Sequence, residues 1–258
     1  MTIQTRIIAR RGDAEIAPEN TLPAFISAIE RGADGIELDV HPTADGHLIV
    51  HHFYNLGNTD NGEGLVHEKT LSELQALDSG SWFSPQLNGA KKPTLNEVMV
   101  LCKGRIRLEI DLKGSNPDFL RQVLMLVEDF DMIGEVELTT SHYPLLPLIK
   151  NTNPQFTTGS FFLEPPTWMP VWLAQQQALD WAILLKIDRI HLHITLITRE
   201  FVQQLIRLGF SVHGSNLDTQ EEMQRGIALG INSFSTGNLT LALQLRKVAS
   251  NSTRQKAQ

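Results

Sequence analysis

The chain of 258 residues contains one cysteine, Cys102, and two tyrosines. A single thiol excludes a disulfide framework and a thiolate metal cage, and the apolar setting VMVLC predicts that it is buried. No apolar run approaches the ~18–20 residues that a bilayer span requires, so a membrane anchor is not expected. A basic surplus is missing too. Twenty-two Lys and Arg stand against 29 Asp and Glu, a formal net charge of −7, and the cations form no continuous stripe, which argues against a nucleic-acid partner. A strand-like run begins by residue 6 and leaves no room for a basic, apolar leader, so a cytoplasmic location is the expectation. Repeats, linkers and low-complexity segments are absent, and only the tail SNSTRQKAQ is expected to fray.

What is present is an alternation of two periodicities. Strand-like runs occur at 6–9, 35–40, 47–52, 105–112, 135–140, 156–162, 181–187, 210–215 and 231–236. Helical spacing occupies 69–77, 94–102, 117–129, 198–207 and 219–229. It is clearest where Leu22, Phe25, Ile26 and Ile29 form one face, with Asn20 or Thr21 able to cap the helix and Gly32 able to end it. Alternating strands and helices predict parallel strands joined by crossovers, and about eight units predict a closed α/β fold, the TIM (β/α)8 barrel, as a single domain over 1–258. Nine strand candidates leave one extra. Only HPTADG separates the second and third runs, too little for a crossover helix, so these two are expected to form a local hairpin or bend. Residues 53–95, rich in Asn, Gly, Ser and Pro, read as a small irregular insertion with one short helix.

In GIELDV, Ile36, Leu38 and Val40 alternate with Glu37 and Asp39, so the two sets point to opposite faces. If the apolar set packs on the outer helices, the carboxylates enter the barrel lumen, where repulsion and lost hydration demand a cation or strong donors. A hard divalent ion meets that demand; a solvated acidic edge strand is the alternative. RLEIDLKG repeats the pattern, with Glu109, Asp111 and Lys113 on one face, and a buried Asp111–Lys113 pair is its alternative reading. HLIVHH ends with His51 and His52 and adds groups that titrate near neutral pH. His41 shares the face of Glu37 and Asp39. The HLH at 191–193 has ligand-capable spacing but falls where loop residues are expected; GSN at 214–216 reads as a loop, and Trp168, Trp172 and Trp181 as packing residues.

These motifs, in order, resemble the glycerophosphodiester phosphodiesterase family. The resemblance rests on RRG, PENT, AF, GADGIELDV, TADG, HH and NGEG between residues 10 and 64, and continues through LSELQALDSGSWFSPQLNGAKKPTLNEV, GFSV and EEM…GIALGIN. It implies a TIM barrel, one divalent cation, Mg2+ or Ca2+, and hydrolysis of small glycerophosphodiesters to glycerol 3-phosphate and an alcohol, within lipid and glycerol metabolism. It also implies roles: Glu37, Asp39 and Asp111 as metal ligands, Arg11 and Lys113 on the phosphate, and His52 as the second catalytic histidine. Asp111 is preferred to Glu109 as third ligand because DLKG preserves both the lysine and the glycine, and a related toxin branch is similar in using Asp. His51, one residue early, is expected to face away.

Arg10 departs from the pattern, standing where the family has its first catalytic histidine; Phe53, Asn58 and Ser215 also replace family residues. Arginine does not exchange a proton near neutral pH, yet it binds phosphate and stabilises charge. Three outcomes follow: an enzyme in which Arg10 adds electrostatic stabilisation while His52, or His41, carries the proton; a phosphodiester- or glycerol-phosphate-binding protein with little turnover; or an altered copy of an active enzyme with its histidine replaced at position 10, and a lysophospholipase D-like activity is an alternative to the small glycerophosphodiester substrate. Assembly into homo-oligomers is compatible with each.

Overall fold

A computed structural model describes residues 5–255, with side chains to residue 248. The runs around residues 6–10 and 233–236 close the barrel: β1 (Arg6–Arg10) pairs in parallel with both β2 (Gly35–Pro42) and β9 (Ser233–Thr236). From β2 the ring continues in parallel through β4 (Arg107–Leu112), β5 (Val136–Thr139), β6 (Thr157–Phe162), β7 (Arg189–Leu192) and β8 (Ser211–Gly214) back to β9. The extra strand is β3 (Leu48–Val50), antiparallel to the end of β2 through Val40–Val50, as the short HPTADG link requires.

Outward-facing Ile36, Leu38, Val40, Leu108, Ile110 and Leu112 join one core with the helices, fully or nearly fully buried. α1 (Leu22–Arg31) ends at Gly32, whose φ of 84° suits a residue without Cβ. Thr21 occupies its cap position but donates to the carbonyl of Pro18 instead of capping, and Asn20 is used elsewhere. α3 (Leu95–Cys102), α4 (Pro117–Asp129), α7 (Arg199–Arg207) and α8 (Gln220–Leu229) fall where periodicity places them, and α2 (Leu71–Ala76) is the short helix of the 53–95 excursion. That excursion has its own small core of Ile49, Leu56, Val66 and Leu74. Cys102 is buried, and burial pushes its thiol up to about 12.

Two corrections arise. Residues 181–187 are not a strand: most of WAILLKI belongs to α6 (Val171–Leu185), and the seventh barrel strand is the short RIHL of β7. Trp181, Ile183 and Leu184 are exposed on α6, so apolar residues on its outer side hide the helical face and leave an unbroken run that resembles a buried strand. The HLH histidines are therefore not in a loop after that strand. His191 lies within β7, and His193 precedes a 3-10 turn and bonds to Thr195. α5 (Leu145–Thr152) and α9 (Leu239–Gln255) complete the helices among the described residues.

Candidate active site

The C-terminal ends of β1, β2 and β4 lie side by side, with Arg10 level with Glu37, Glu37 with Glu109, and Asp39 with Asp111. The two arginines that end β1 diverge because Arg11 takes the left-handed conformation, φ 57°. Its backbone N–H donates to the carbonyl of Glu37 at 2.8 Å and to Glu37 Oε2 at 3.0 Å. The Arg11 side chain turns to Glu19, donating to both carboxylate oxygens at 3.1 and 2.9 Å, and reaches Asp39 Oδ2 at 3.5 Å. Arg10 goes the other way, to Asp218 at 3.7 Å, past Gly237, where a Cβ would stand 3.2 Å from its guanidinium.

Asp39 is the hub. Lys113 Nζ lies 2.9 Å from Asp39 Oδ1 and donates to Asp111 Oδ2 at 2.6 Å, while Asn20 Nδ2 donates to Asp39 Oδ2 at 2.8 Å. Burial alone would raise the Asp39 pKa, but Lys113, His52 and Arg11 outweigh it and hold the carboxyl below its usual range. Glu37 has the opposite fate: burial, then the neighbouring Asp39 charge, push it up to about 8. Asp111 is also raised, by burial and against Lys113, and its Oδ1 is buried with no hydrogen-bond partner. Of the two acids on β4, Asp111 is the one that shares Lys113 with Asp39, and Glu109 turns deeper into the barrel.

His52 lies in the field of Asp39, Arg11 and Lys113. Burial first, then the two cations, lower it to about 4 against the pull of Asp39, so the ring is neutral at pH 7; its buried Nδ1 has no partner. His51 faces away, as expected, into a buried cluster where Lys92 Nζ is 2.9 Å and His51 Nε2 3.9 Å from Asp60. His41 is 1% exposed, packs edge-on against Tyr54, and places Nε2 3.5 Å from the carbonyl of His52. Burial pushes it down to about 3. It lies against the backbone of His52 and is sealed from solvent. Glu19, Asn20 and Asp218 carry no sequence pattern that marks them as site residues; in PENT, the pair after Pro18 reads only as a helix start.

Below this layer lies a second polar cluster. Glu109, His191 and His213 each offer a ligand atom, all within 4.8 Å of one another, so a group able to hold a metal exists inside the barrel. Glu37, Asp39 and Asp111 do not meet that spacing among the described residues, because the Lys113 ammonium lies between Asp39 and Asp111.

A closed parallel barrel with acids, an arginine, a lysine and a neutral histidine at its C-terminal mouth defines a (β/α)8 protein built to handle an anion there. The model of the glycerophosphoryl diester phosphodiesterase family matches residues 11–240, and the chain belongs to that family. A glycerophosphodiester phosphodiesterase of Caldanaerobacter subterraneus is 31% identical over 91% of this chain and 94% of its own length. One from Bacillus subtilis is 43% identical over 50% of this chain and 47% of its own. The fold matches the crystal structure of a glycerophosphodiester phosphodiesterase from Agrobacterium tumefaciens with a TM-score of 0.82, at 24% identity over 93% of this chain and 100% of that one. It also matches an Oleispira antarctica phosphodiesterase in complex with sn-glycerol-3-phosphate, TM-score 0.82, at 21% identity over 95% and 96% of the two chains.

Proposed function

We propose that the chain hydrolyses small glycerophosphodiesters at this mouth, releasing glycerol 3-phosphate and an alcohol. The observation that supports this most is the convergence of Arg11, Lys113, Asp39, Asp111 and His52 on one place in a barrel of this family. Arg11 and Lys113 bind the phosphate, and both are already oriented by carboxylates. His52, neutral and with a free Nδ1, accepts the proton of the attacking hydroxyl. Arg10 adds positive charge from the β8 side, held by Asp218, and stabilises the developing phosphate charge without exchanging protons.

Glu37, Asp39 and Asp111 suit a hard divalent cation, Mg2+ or Ca2+. The unpartnered Asp111 Oδ1 supports this, as do two acids, Glu37 and Asp111, that burial first and the neighbouring Asp39 charge second raise against the pull of Lys113 and, for Glu37, Arg11. Such an ion supplies neutralisation of the phosphate charge. Binding it requires Lys113 to leave its place between Asp39 and Asp111, which frees the ammonium for the phosphate.

Arg10 in place of a titrating histidine favours a second reading, a glycerol-phosphate-binding protein with little turnover. The two are separated by assaying release of glycerol 3-phosphate from glycerophosphodiesters, and of acylated glycerol 3-phosphate from a lysophospholipid, with Mg2+ or Ca2+ supplied, for the wild type beside Arg10→His. Wild-type turnover supports hydrolysis; a silent wild type with an active Arg10→His supports the binding reading. The functional expectation is a rate gain of up to ~10²-fold in Arg10→His, the lower end of what one general acid or base contributes.

A further inference from the structure

The lumen of this barrel is charged where such interiors are ordinarily filled by branched apolar side chains. Glu109, Glu137, His191 and His213 are all at least 96% buried, and they come from β4, β5, β7 and β8. Most of their polar atoms are satisfied in a directed way. His191 Nε2 donates to Glu137 Oε1 at 2.7 Å, and Arg189 holds the other oxygen of Glu137 at 2.5 Å. His213 Nδ1 hydrogen-bonds with Ser233 Oγ at 3.0 Å. Gly159 makes room for the first of these bonds, since a Cβ there would lie 2.4 Å from Glu137 Oε1 and 2.7 Å from His191 Nε2.

Three atoms remain without a partner: Glu109 Oε1, His191 Nδ1 and His213 Nε2. Buried polar atoms are nearly always paired, and an exception calls for a bound water or ion. Here the three exceptions belong to three residues whose ligand atoms lie within 4.8 Å of one another, and His191 Nδ1 is 3.5 Å from Glu109 Oε1. A histidine that gives one ring nitrogen to a carboxylate and keeps the other bare is the arrangement that orients a metal-binding imidazole. The surrounding charge favours a cation, because the Glu109 carboxylate lies among Glu137, Glu37 and Asp111, with Arg189 spent on Glu137.

We propose that Glu109, His191 and His213 form a second, deeper cation site, for a borderline transition ion of the Zn2+ or Co2+ type. Two imidazoles and one carboxylate select such ions over Mg2+ or Ca2+, which prefer all-oxygen shells. The site is independent of the hydrolytic reading and differs from the carboxylate group at the mouth in both residues and metal class. His191 is the fixed member, locked by Glu137. The two rings stack with centroids 4.2 Å apart and planes 19° apart, and His213 Nδ1 is engaged by Ser233. Coordination therefore requires the His213 ring to turn about its Cβ–Cγ bond, toward the unpartnered Glu109 oxygen.

The test is a titration of the chelator-treated, full-length protein with Co2+ alone, read by visible d–d absorption, and with Zn2+ alone, read by calorimetry. One equivalent of Co2+ with the intense absorption of a low-coordinate N,O site is expected. His213→Ala and Glu109→Gln should each weaken binding at least ~100-fold, and Glu137→Gln, which removes only the orienting partner, ~10–100-fold. Asp39→Asn should leave the band in place. Circular dichroism and thermal melting confirm that each variant is folded, and His213→Gln serves as the second variant if His213→Ala does not fold. Absence of the band, which leaves a water to satisfy the three atoms, overturns the proposal. So does a band that survives both ligand variants, or one lost only in Asp39→Asn.

Discussion

The mouth and the interior of the barrel solve the same problem, buried carboxylates, by different means. At the mouth the partners of Asp39 are cations on flexible side chains, Arg11 and Lys113, together with the amide of Asn20. In the interior the partners of Glu109 and Glu137 are stacked imidazoles and one arginine that enters from below. Lysine and arginine side chains can swing from one anion to another, and in the proposed reaction they pass from carboxylate to phosphate, so the mouth would exchange partners. Packed rings can turn about their own bonds but cannot leave the lumen, so the interior keeps its partners. The mouth is therefore where substitutions should cost chemistry, and the interior where they should cost stability.

The largest effect should come from His52→Ala, a loss of ~10²–10⁴ in kcat with little change in melting temperature, because the ring is half-buried and its Nδ1 has no partner in the fold. Steady-state kinetics beside a thermal melt measure both, and a variant with wild-type kcat would remove His52 from the mechanism. The converse is Arg189→Met. It strips Glu137 of its 2.5 Å partner and leaves a buried acid with His191 alone, at a cost of about 3 kcal/mol in unfolding free energy, the lower end for a broken buried pair because Arg189 is partly exposed. Urea unfolding reads this cost, and an unchanged midpoint would mean that the interior is as adaptable as the mouth.

Gly159→Ala sharpens the same contrast with a single methyl. The new Cβ would meet both Glu137 and His191 at less than van der Waals distance, and neither side chain has space to retreat. Overpacking of this kind costs ~1–3 kcal/mol, or about 2–4 °C in melting temperature per kcal/mol for a chain of this size. The Arg11–Asp39–Lys113 cluster lies elsewhere on the wall, so kcat measured well below the melting temperature should stay near the wild-type value.

The same division governs what the sequence makes legible. Alternation in GIELDV and RLEIDLKG exposes the charged lumen face at once, since every second residue is apolar and the helices outside demand it. The strand RIHL offers no such contrast, because four residues with Arg189 and His191 turned inward look like loop, while the apolar outer side of α6 imitates a strand. Arg11 is legible as a phosphate ligand only by resemblance. Its divergence from Arg10 rests on a φ of 57°, which no side-chain pattern encodes. Asn20 and Asp218 escape for a related reason: both sit in loops brought to the site by barrel closure, and Glu109 joins two histidines more than 80 residues away, by sequence position, only because β4, β7 and β8 face one lumen.

The smallest predicted effect tests whether the mouth acids lack a cation's charge. In metal-free protein Glu37 is pushed up to about 8, and Glu109 is raised well above its usual range, burial being the first cause in each. Below pH ~4.5 folded and unfolded chains both hold these protons; above it the unfolded chain releases them and the native state does not, so each raised acid makes stability fall as pH rises toward its folded pKa. Buried His41, His51 and His213 and half-buried His52, all lowered, act with the opposite sign up to about a pH unit above the free-histidine value of about 6.5, where the unfolded chain holds protons that the native state refuses. Above about pH 7.5 the histidine contribution has run out and the raised acids dominate, and Glu37 should contribute a loss of about 1 kcal/mol between pH 7.5 and 9. Urea midpoints in chelator should decline from pH 7.5 to 9, less steeply in Glu37→Gln, and Mg2+ or Ca2+ should flatten the decline by favouring the ionised carboxylate. A midpoint that rises over this range in the metal-free wild type would mean that Glu37 is already ionised, and the mouth would then need no cation to balance it.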